Sequence, residues 1–385
     1  MIGTSMGNAT IYWLTIHVAN GKAVILSVLV AAQFLPILIF SRKAGHLMTR
    51  HAAARVLVVT QAAQALGALG FGIPLLFGWI AVWYLWLVSF MIGCAVAVDV
   101  TARQMFMLDL VGPAELRKGS SLYSTFTGLA KIIGPALAGI LIATIGESAA
   151  FLANAASFLP VIAVLITIGG KLNQSTPSAP SPAVARRRLT WIFALPNQIL
   201  VAVASAFLIG GFGYQFEVTN PLMATGVFHL NSTGFGLLGT CMACGGIAGS
   251  YLSSRRPDPG NQEFVVWAGV FGGVEIIAAF ASVAWFYDVT MALIGAATAL
   301  FGSSAMVFVQ QATPEGERAY AVSAYNTAYM GFVPVGAFVI AGLSALAGSR
   351  LSLAVPGFLI LIFVILILGG ETFRQRKRMS PQAEV

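Results

Sequence analysis

"GLAKIIGPALAGILIATIG" (Gly128–Gly146) is almost wholly apolar, yet its middle holds Lys131 and a Gly134-Pro135 pair. At about 1.5 Å per residue, a helix of this length crosses the roughly 30 Å hydrocarbon core of a bilayer. Similar apolar runs, each about 18–25 residues long, recur along the chain. Hydrophobic residues make up 58% of the 385 and charged residues 9%, against about 25% charged in soluble proteins. So little charge cannot cover a soluble core of this size, and the chain must meet lipid. Inside lipid, only helices or closed barrels satisfy their own backbone. Barrel strands alternate in polarity, and these runs do not. The implied class is an all-α polytopic membrane protein.

The polar breaks predict twelve transmembrane helices. The first six cover about 2–20, 23–41, 54–77, 79–102, 119–145 and 148–168. The second six cover about 197–220, 233–253, 264–285, 288–311, 319–346 and 351–369. The first is the weakest, diluted by Thr4, Ser5, Asn8 and Thr10, and it has no basic region of the kind that opens a cleavable signal. Of 21 Lys and Arg, all but Lys22, Lys131 and Arg350 fall in one alternate set of loops and the tail. Basic residues stay on the cytoplasmic side, so an even number of spans and two cytoplasmic termini are expected. Residues 169–195, rich in Ser and Pro and carrying Arg186, Arg187 and Arg188, read as a cytoplasmic linker. The expected layout is therefore a six-helix bundle over 1–168, a second over 196–371, and a basic tail over 372–385. Six plus six helices with a central loop is the plan of a repeat-built secondary transporter.

Within this layout, Lys131 lies about 20 Å past Lys118 at the cytoplasmic mouth, near the bilayer middle. A lysine there costs about 2.5–3.5 kcal/mol to insert and should face protein or water. Gly128, Ala130, Gly134, Ala138 and Gly139 form a small-residue stripe that lets another helix approach closely. Pro135 removes a backbone donor and favours a bend. Such a helix suits a moving interface between bundles, although Pro and Gly are also common in ordinary transmembrane helices. Asp99 and Arg103 are one turn apart on one helix face. Asp99 could exchange a proton, pair with Arg50 as an inner gate, or simply neutralise Arg103. Glu275, mid-way along the ninth span, is expected to be a buried structural partner. Gln33, Tyr123, Asn220, Tyr325 and Asn326 are polar positions in apolar spans, suited to substrate contact or to helix–helix hydrogen bonds.

Several stretches together resemble the major facilitator superfamily, in the branch containing the bacterial enterobactin exporter. They are "AAQFLPILIF" (31–40), "RVLVVTQAAQALGAL" (55–69), "VDVTARQMFMLDLVGPAELRKGSSLYS" (98–124), "IIGPALAGILIATIG" (132–146) and "FGYQFEVTNPLMATGVFHLNSTGFGLLGT" (212–240). The resemblance implies two six-helix bundles, alternating access and ion-coupled export of small molecules. It also implies an antiporter motif carried by Gly128, Gly134, Pro135 and Gly139, with Ala138 where glycine is common. "GHLMTRHAAAR" (Gly45–Arg55) resembles the family's gating loop. Gly45, Arg50 and Arg55 match; Thr49 replaces an aspartate, and Ala53 and Ala54 replace arginines. Asp99 is a candidate substitute partner for Arg50. In this fold the seventh helix lines the cavity, so Glu217, expected toward its outer end, could bind a cationic substrate or a proton, or face interfacial water.

Other chemistries find no support in the sequence. No Walker A sequence is present, so ATP is not the direct driver. Cys241 and Cys244 lie in an apolar run without further ligands, and His46 and His51 belong to the basic loop; no metal or other cofactor is expected. The net charge of +8 points to anionic lipid at the linker rather than to nucleic acid. The expected function is a monomeric, proton-coupled exporter of small amphipathic molecules (drug, secondary metabolite or siderophore) in a bacterial inner membrane. Asp99, Arg103, Lys131 and Glu217 are its transport candidates. The alternatives are an importer of the same fold or a transport-dead sensor or assembly protein.

Overall fold

The computed structural model describes residues 1–48, 52–172, 197–256, 263–313 and 318–379, and among these there is no strand. The helices are α1 (Ile2–Val18), α2 (Ala23–Met48), α3 (Ala53–Leu76), α4 (Val82–Thr144) and α5 (Glu147–Leu172) in the first part of the chain. The second part holds α6 (Asn197–Leu208), a π-helical turn (Ile209–Gly213), α7 (Phe216–Gly226), α8 (Ser232–Ser254), α9 (Glu263–Ala279), α10 (Ala284–Ala312), α11 (Arg318–Met330) and α12 (Val333–Met379). Eight helical stretches are long and apolar enough to cross a bilayer. Phe77, Trp79, Leu346 and Leu366 are exposed, as side chains solvated by lipid tails should be.

The observed helices differ from the predicted spans in three places. Helical backbone runs without interruption through the loop expected at 103–118, joining two crossing stretches, Val82–Arg103 and Phe126–Thr144, in α4. This run cannot be straight. Gly93 packs on the Gln33 carbonyl of α2, and Gly134 packs on Ser5 and Met6 of α1. A hydrogen bond from Tyr12 to Gln33 (2.9 Å) sets α1 and α2 side by side at that level. A straight helix would separate Gly93 from Gly134 by about 60 Å, so the chain reverses between them. Second, the seventh predicted span runs on to Gly226 and is broken by the π turn. Third, the eleventh is interrupted at Gly331-Phe332, while α12 contains a true break at Gly348 (φ 83°, ψ 165°), a left-handed torsion that glycine tolerates. Arg350, just past that break, donates to the carbonyls of Ala279 (3.0 Å) and Ala281 (2.6 Å) and so caps the end of α9.

The two parts of the chain meet along glycine-lined seams. A side chain at Gly236 of α8 would reach the Pro135 carbonyl, and one at Gly139 would reach the Ser232 carbonyl. Ser232 Oγ donates to the Gly139 carbonyl (3.2 Å), and Thr240 Oγ1 donates to that of Ile132 (3.1 Å). Gly128 continues the seam against Ile247. Across the molecule, Ser27 of α2 donates to the Ala337 carbonyl of α12 (2.8 Å). Trp13 of α1 stacks on Phe235 of α8, with centroids 5.3 Å apart. Contacts between the parts are made by α7, α8 and the start of α12; α6 and α11 pack within the second part. The seam between α4 and α8 thus runs along α8 from Ser232 to Ile247.

A reciprocal glycine crossing also fixes α8 on α10: a side chain at Gly295 would meet the Met242 carbonyl at 1.9 Å, and one at Gly245 the Ala292 carbonyl at 1.7 Å. Gly295→Leu is expected to destabilise the detergent-solubilised protein by about 3 kcal/mol. Gly302→Leu, with nothing within 4 Å, should change stability by less than about 0.5 kcal/mol. Thermal unfolding of the two variants on this one helix checks the pair.

Candidate functional site

Two interrupted helices meet at the centre of the molecule. The π turn, with sequence IGGFG, ends in an unwound Tyr214-Gln215 step before α7 begins. Gln215 Nε2 donates back to the carbonyls of Gly210 (3.3 Å) and Gly211 (2.8 Å), satisfying acceptors in and beside the irregular turn. The Gly336 Cα rests on the Gly211 carbonyl, and Gly210 rests on the Tyr329 carbonyl. Any side chain at Gly210 or Gly336 would collide with backbone. The break between α11 and α12 therefore sits against the break between α6 and α7. Non-helical backbone at membrane depth is found where it is enclosed by protein or lines a cavity.

Glu217 stands in the first turn of α7, directly after the unwound step. Because the helix continues to Gly226, Glu217 lies about 14 Å from its end, deeper than the outer position expected from sequence. Its Oε2 is shut from solvent and has no hydrogen-bond partner. Tyr12 of α1, Tyr214, and Tyr329 of α11 are within electrostatic reach of Glu217, and so is Lys131 of α4. Tyr325 stacks on Tyr329 (6.3 Å, 11° between planes), and Tyr12 donates to Gln33. Residues from both parts of the chain therefore converge on one carboxyl. Lys131 is exposed rather than packed.

Tyr12, Tyr214, Tyr329 and Gln215 were not singled out in the sequence, where an aromatic residue within an apolar run reads as core. The glycines of "IGGFGYQ" were the available signal. Other sequence candidates fall elsewhere. Asn220 is buried and accepts a hydrogen bond from Tyr287 (2.9 Å) within the second part. Tyr123 and Asn326 are exposed. Gly128, Gly134, Pro135 and Gly139 all lie on the close-packed faces of α4.

Asp99 is held differently from Glu217. It is 5% exposed and accepts from Thr60 (2.9 Å) and Gln61 (2.6 Å) of α3 on Oδ1. Arg103 donates to its Oδ2 through Nε (3.1 Å) and Nη2 (2.5 Å). With both oxygens occupied, the carboxylate ties α3 to α4 through Thr60 and Gln61, while Arg103 pairs with it along α4. Arg50 of the gating loop lies outside the described residues, and Gly45 is placed only as backbone of α2. Arg55 is exposed in the first turn of α3.

Two packed halves, with a lysine and a carboxyl brought within electrostatic reach of one another from opposite halves at two interrupted helices, are the arrangement of a membrane transporter. The chain matches the family described as transmembrane secretion effector across residues 1–381 and belongs to that family, within the major facilitator superfamily. Among relatives, it is 24% identical to a staphyloferrin A transporter of Staphylococcus aureus over 247 residues, 64% of this chain and 62% of that protein. It is 23% identical to the enterobactin exporter EntS of Citrobacter koseri over 347 residues, 86% of this chain and 80% of the exporter. In fold it resembles a bacterial homologue of the iron transporter ferroportin in an inward-facing state (TM-score 0.65, 18% identity, 94% of this chain and 96% of that one). It also resembles a bacterial homologue of the lysosomal transporter Spinster, inward-facing and occupied (TM-score 0.66, 13% identity, 97% and 95% covered).

The clamp on Asp99 yields a stability test. Asp99→Ala should destabilise the protein by about 3 kcal/mol, the lower end for a buried pair because Arg103 is partly exposed. Thr60→Val, which removes one neutral donor, should cost about 1 kcal/mol. Thermal unfolding in detergent compares the two; equal effects would contradict the clamp.

Proposed function

We propose that this protein is a proton-coupled exporter of small amphipathic molecules, siderophores foremost, in a bacterial inner membrane. The observation that carries this reading is the convergence of Glu217, Lys131 and three tyrosines at the two interrupted helices. Siderophore-class cargo is suggested by the relatives, one named for enterobactin export and one for staphyloferrin A transport. In this reading the chain crosses the membrane twelve times with both termini cytoplasmic, and residues 1–168 and 196–371 act as two bundles joined by the linker 169–195. The basic loops then mark the cytoplasmic side, from which an exporter loads its cargo.

The chemistry follows from one carboxyl serving two ligands. Ionised Glu217, supported by the Lys131 charge, accepts hydrogen bonds or a cationic group from the cargo, and the tyrosine faces pack its apolar body. Once the cavity opens outward, a proton on Glu217 cancels that acceptor and the cargo leaves. The proton then returns inward with the empty carrier, which makes the exchange an antiport. Asp99 holds α3 on α4 in both states, while the Gly134-Pro135 region of α4 is the bearing surface.

The test is export. Cells carrying or lacking the gene are compared by mass spectrometry of medium and cell extract. Loss of the gene should shift the cargo from medium to cells, and Glu217→Gln should match the deletion while reaching the membrane at normal abundance. Accumulation of a medium compound only in cells that carry the gene would instead identify an importer. Identical profiles with no proton flux in proteoliposomes would contradict transport altogether.

A further inference from the structure

We propose that Lys131 is the anion-binding residue between the two halves, so that the transported molecule carries an oxyanion, such as a carboxylate, beside its apolar body. This names a cargo class for the export reading above and rests on that reading for calling the bound molecule cargo. Lys131 lies in the crossing stretch Phe126–Thr144 of α4, and it is exposed. The large apolar residues exposed on the same stretch are Phe126, Leu129, Ile133, Leu137 and Ile140. With about 100° of turn per residue, all five stand about 160–240° round the helix from Lys131. They form the face that meets lipid, and the lysine is on the opposite one.

Close contacts bound that opposite face on both sides. About 60° to one side of Lys131, Gly134 packs on Ser5 and Met6 of α1. About 60° to the other side, Gly128 packs on Ile247 of α8. Pro135, about 40° round on the α8 side, meets Gly236 and Gly239. An exposed lysine between these contacts points into the space between α1 and α8, toward the interior of the molecule. A lysine at membrane depth belongs against protein or water, and this one is held away from lipid by its own helix.

The charge is unmatched where it stands. Neither α1 nor α8 carries an acidic residue. Glu217 of α7 is within electrostatic reach of Lys131, yet its Oε2 has no hydrogen-bond partner, and no ion pair joins the two among the described residues. A cation and a carboxyl from opposite halves therefore face the same region without satisfying one another. An oxyanion gives Lys131 a charge-assisted hydrogen bond. A hydrogen-bond donor on the same molecule serves Glu217, and the tyrosine rings pack the apolar remainder. A neutral molecule of the same shape leaves the ammonium without that bond.

The test is equilibrium binding to the purified full-length protein in detergent, read by calorimetry. The probes are cinnamate and its uncharged isostere cinnamamide, which share an apolar ring and differ in the anion. The wild type should bind cinnamate about tenfold more tightly than cinnamamide. Lys131→Gln should abolish that preference by weakening cinnamate alone, while unfolding at the wild-type temperature. Lys131→Arg, which keeps the charge, should retain the preference. Adding Glu217→Gln to Lys131→Gln should not restore it, because the anion is held by the lysine and not merely repelled by the acid. Equal affinity for the two probes in the wild type, binding of neither, an unchanged preference in Lys131→Gln, or its recovery in the double variant would overturn the proposal. Binding at equilibrium needs neither a proton gradient nor a direction of transport. A protein that shows the cinnamate preference and yet fails the export assay would contradict the export reading alone.

Discussion

Backbone resting on backbone is the constraint on which this structure depends. Apolar side chains gain little by choosing another helix over lipid, so helices in a membrane adhere where small residues let their main chains touch. Gly139 and Pro135 against Gly236 and Gly239 provide that contact between the halves. Gly210 and Gly336 provide it between the two interrupted helices. The first contact joins α4 to α8 across the two halves. The second holds open the backbone irregularity that places Glu217 beside Tyr214 and Tyr329. Lys131 lies on the same helix as the seam glycines, so a change at the seam necessarily moves the charge opposed to Glu217.

The acids of the membrane domain divide according to their partners. Asp99 has four donor contacts on its two oxygens and can hold a fixed charge as a structural clamp. Glu217, Glu275 and Asp288 each keep an oxygen with no donor. A buried polar atom left in that condition calls for an explanation. The contrast assigns different work to residues that look alike in sequence, where an acid within an apolar run is a functional candidate by default.

The broad architecture was legible because it rests on local signals. Apolar runs of bilayer length marked helices. The small-residue stripe of α4 announced a close contact, but its partner was not readable: Gly236 and Gly239 lie about a hundred residues away, and their glycine spacing becomes informative only once the helices are apposed. The seventh span was read as one unbroken helix ending near residue 220, whereas the helix is interrupted at 209–215 and runs on to Gly226. That misplaced Glu217 toward the outer end. Tyr12, Tyr214 and Tyr329 were invisible for a different reason, since an aromatic ring in an apolar helix packs equally well into core, lipid or cavity.

Everything assigned to the cavity requires that the closed seam open and re-form. Gly128 and Ile247 lie close enough across it for a cross-link, since a β-carbon built on Gly128 sits 3.3 Å from the Ile247 Cγ1. The direct measurement is therefore export by a Gly128→Cys, Ile247→Cys variant in which Cys94, Cys241 and Cys244 are replaced by serine, before and after disulfide formation. Locked in one state, the protein should stop exporting and should recover when the disulfide is reduced. Export continuing at the unlocked rate with the seam covalently closed would contradict the account.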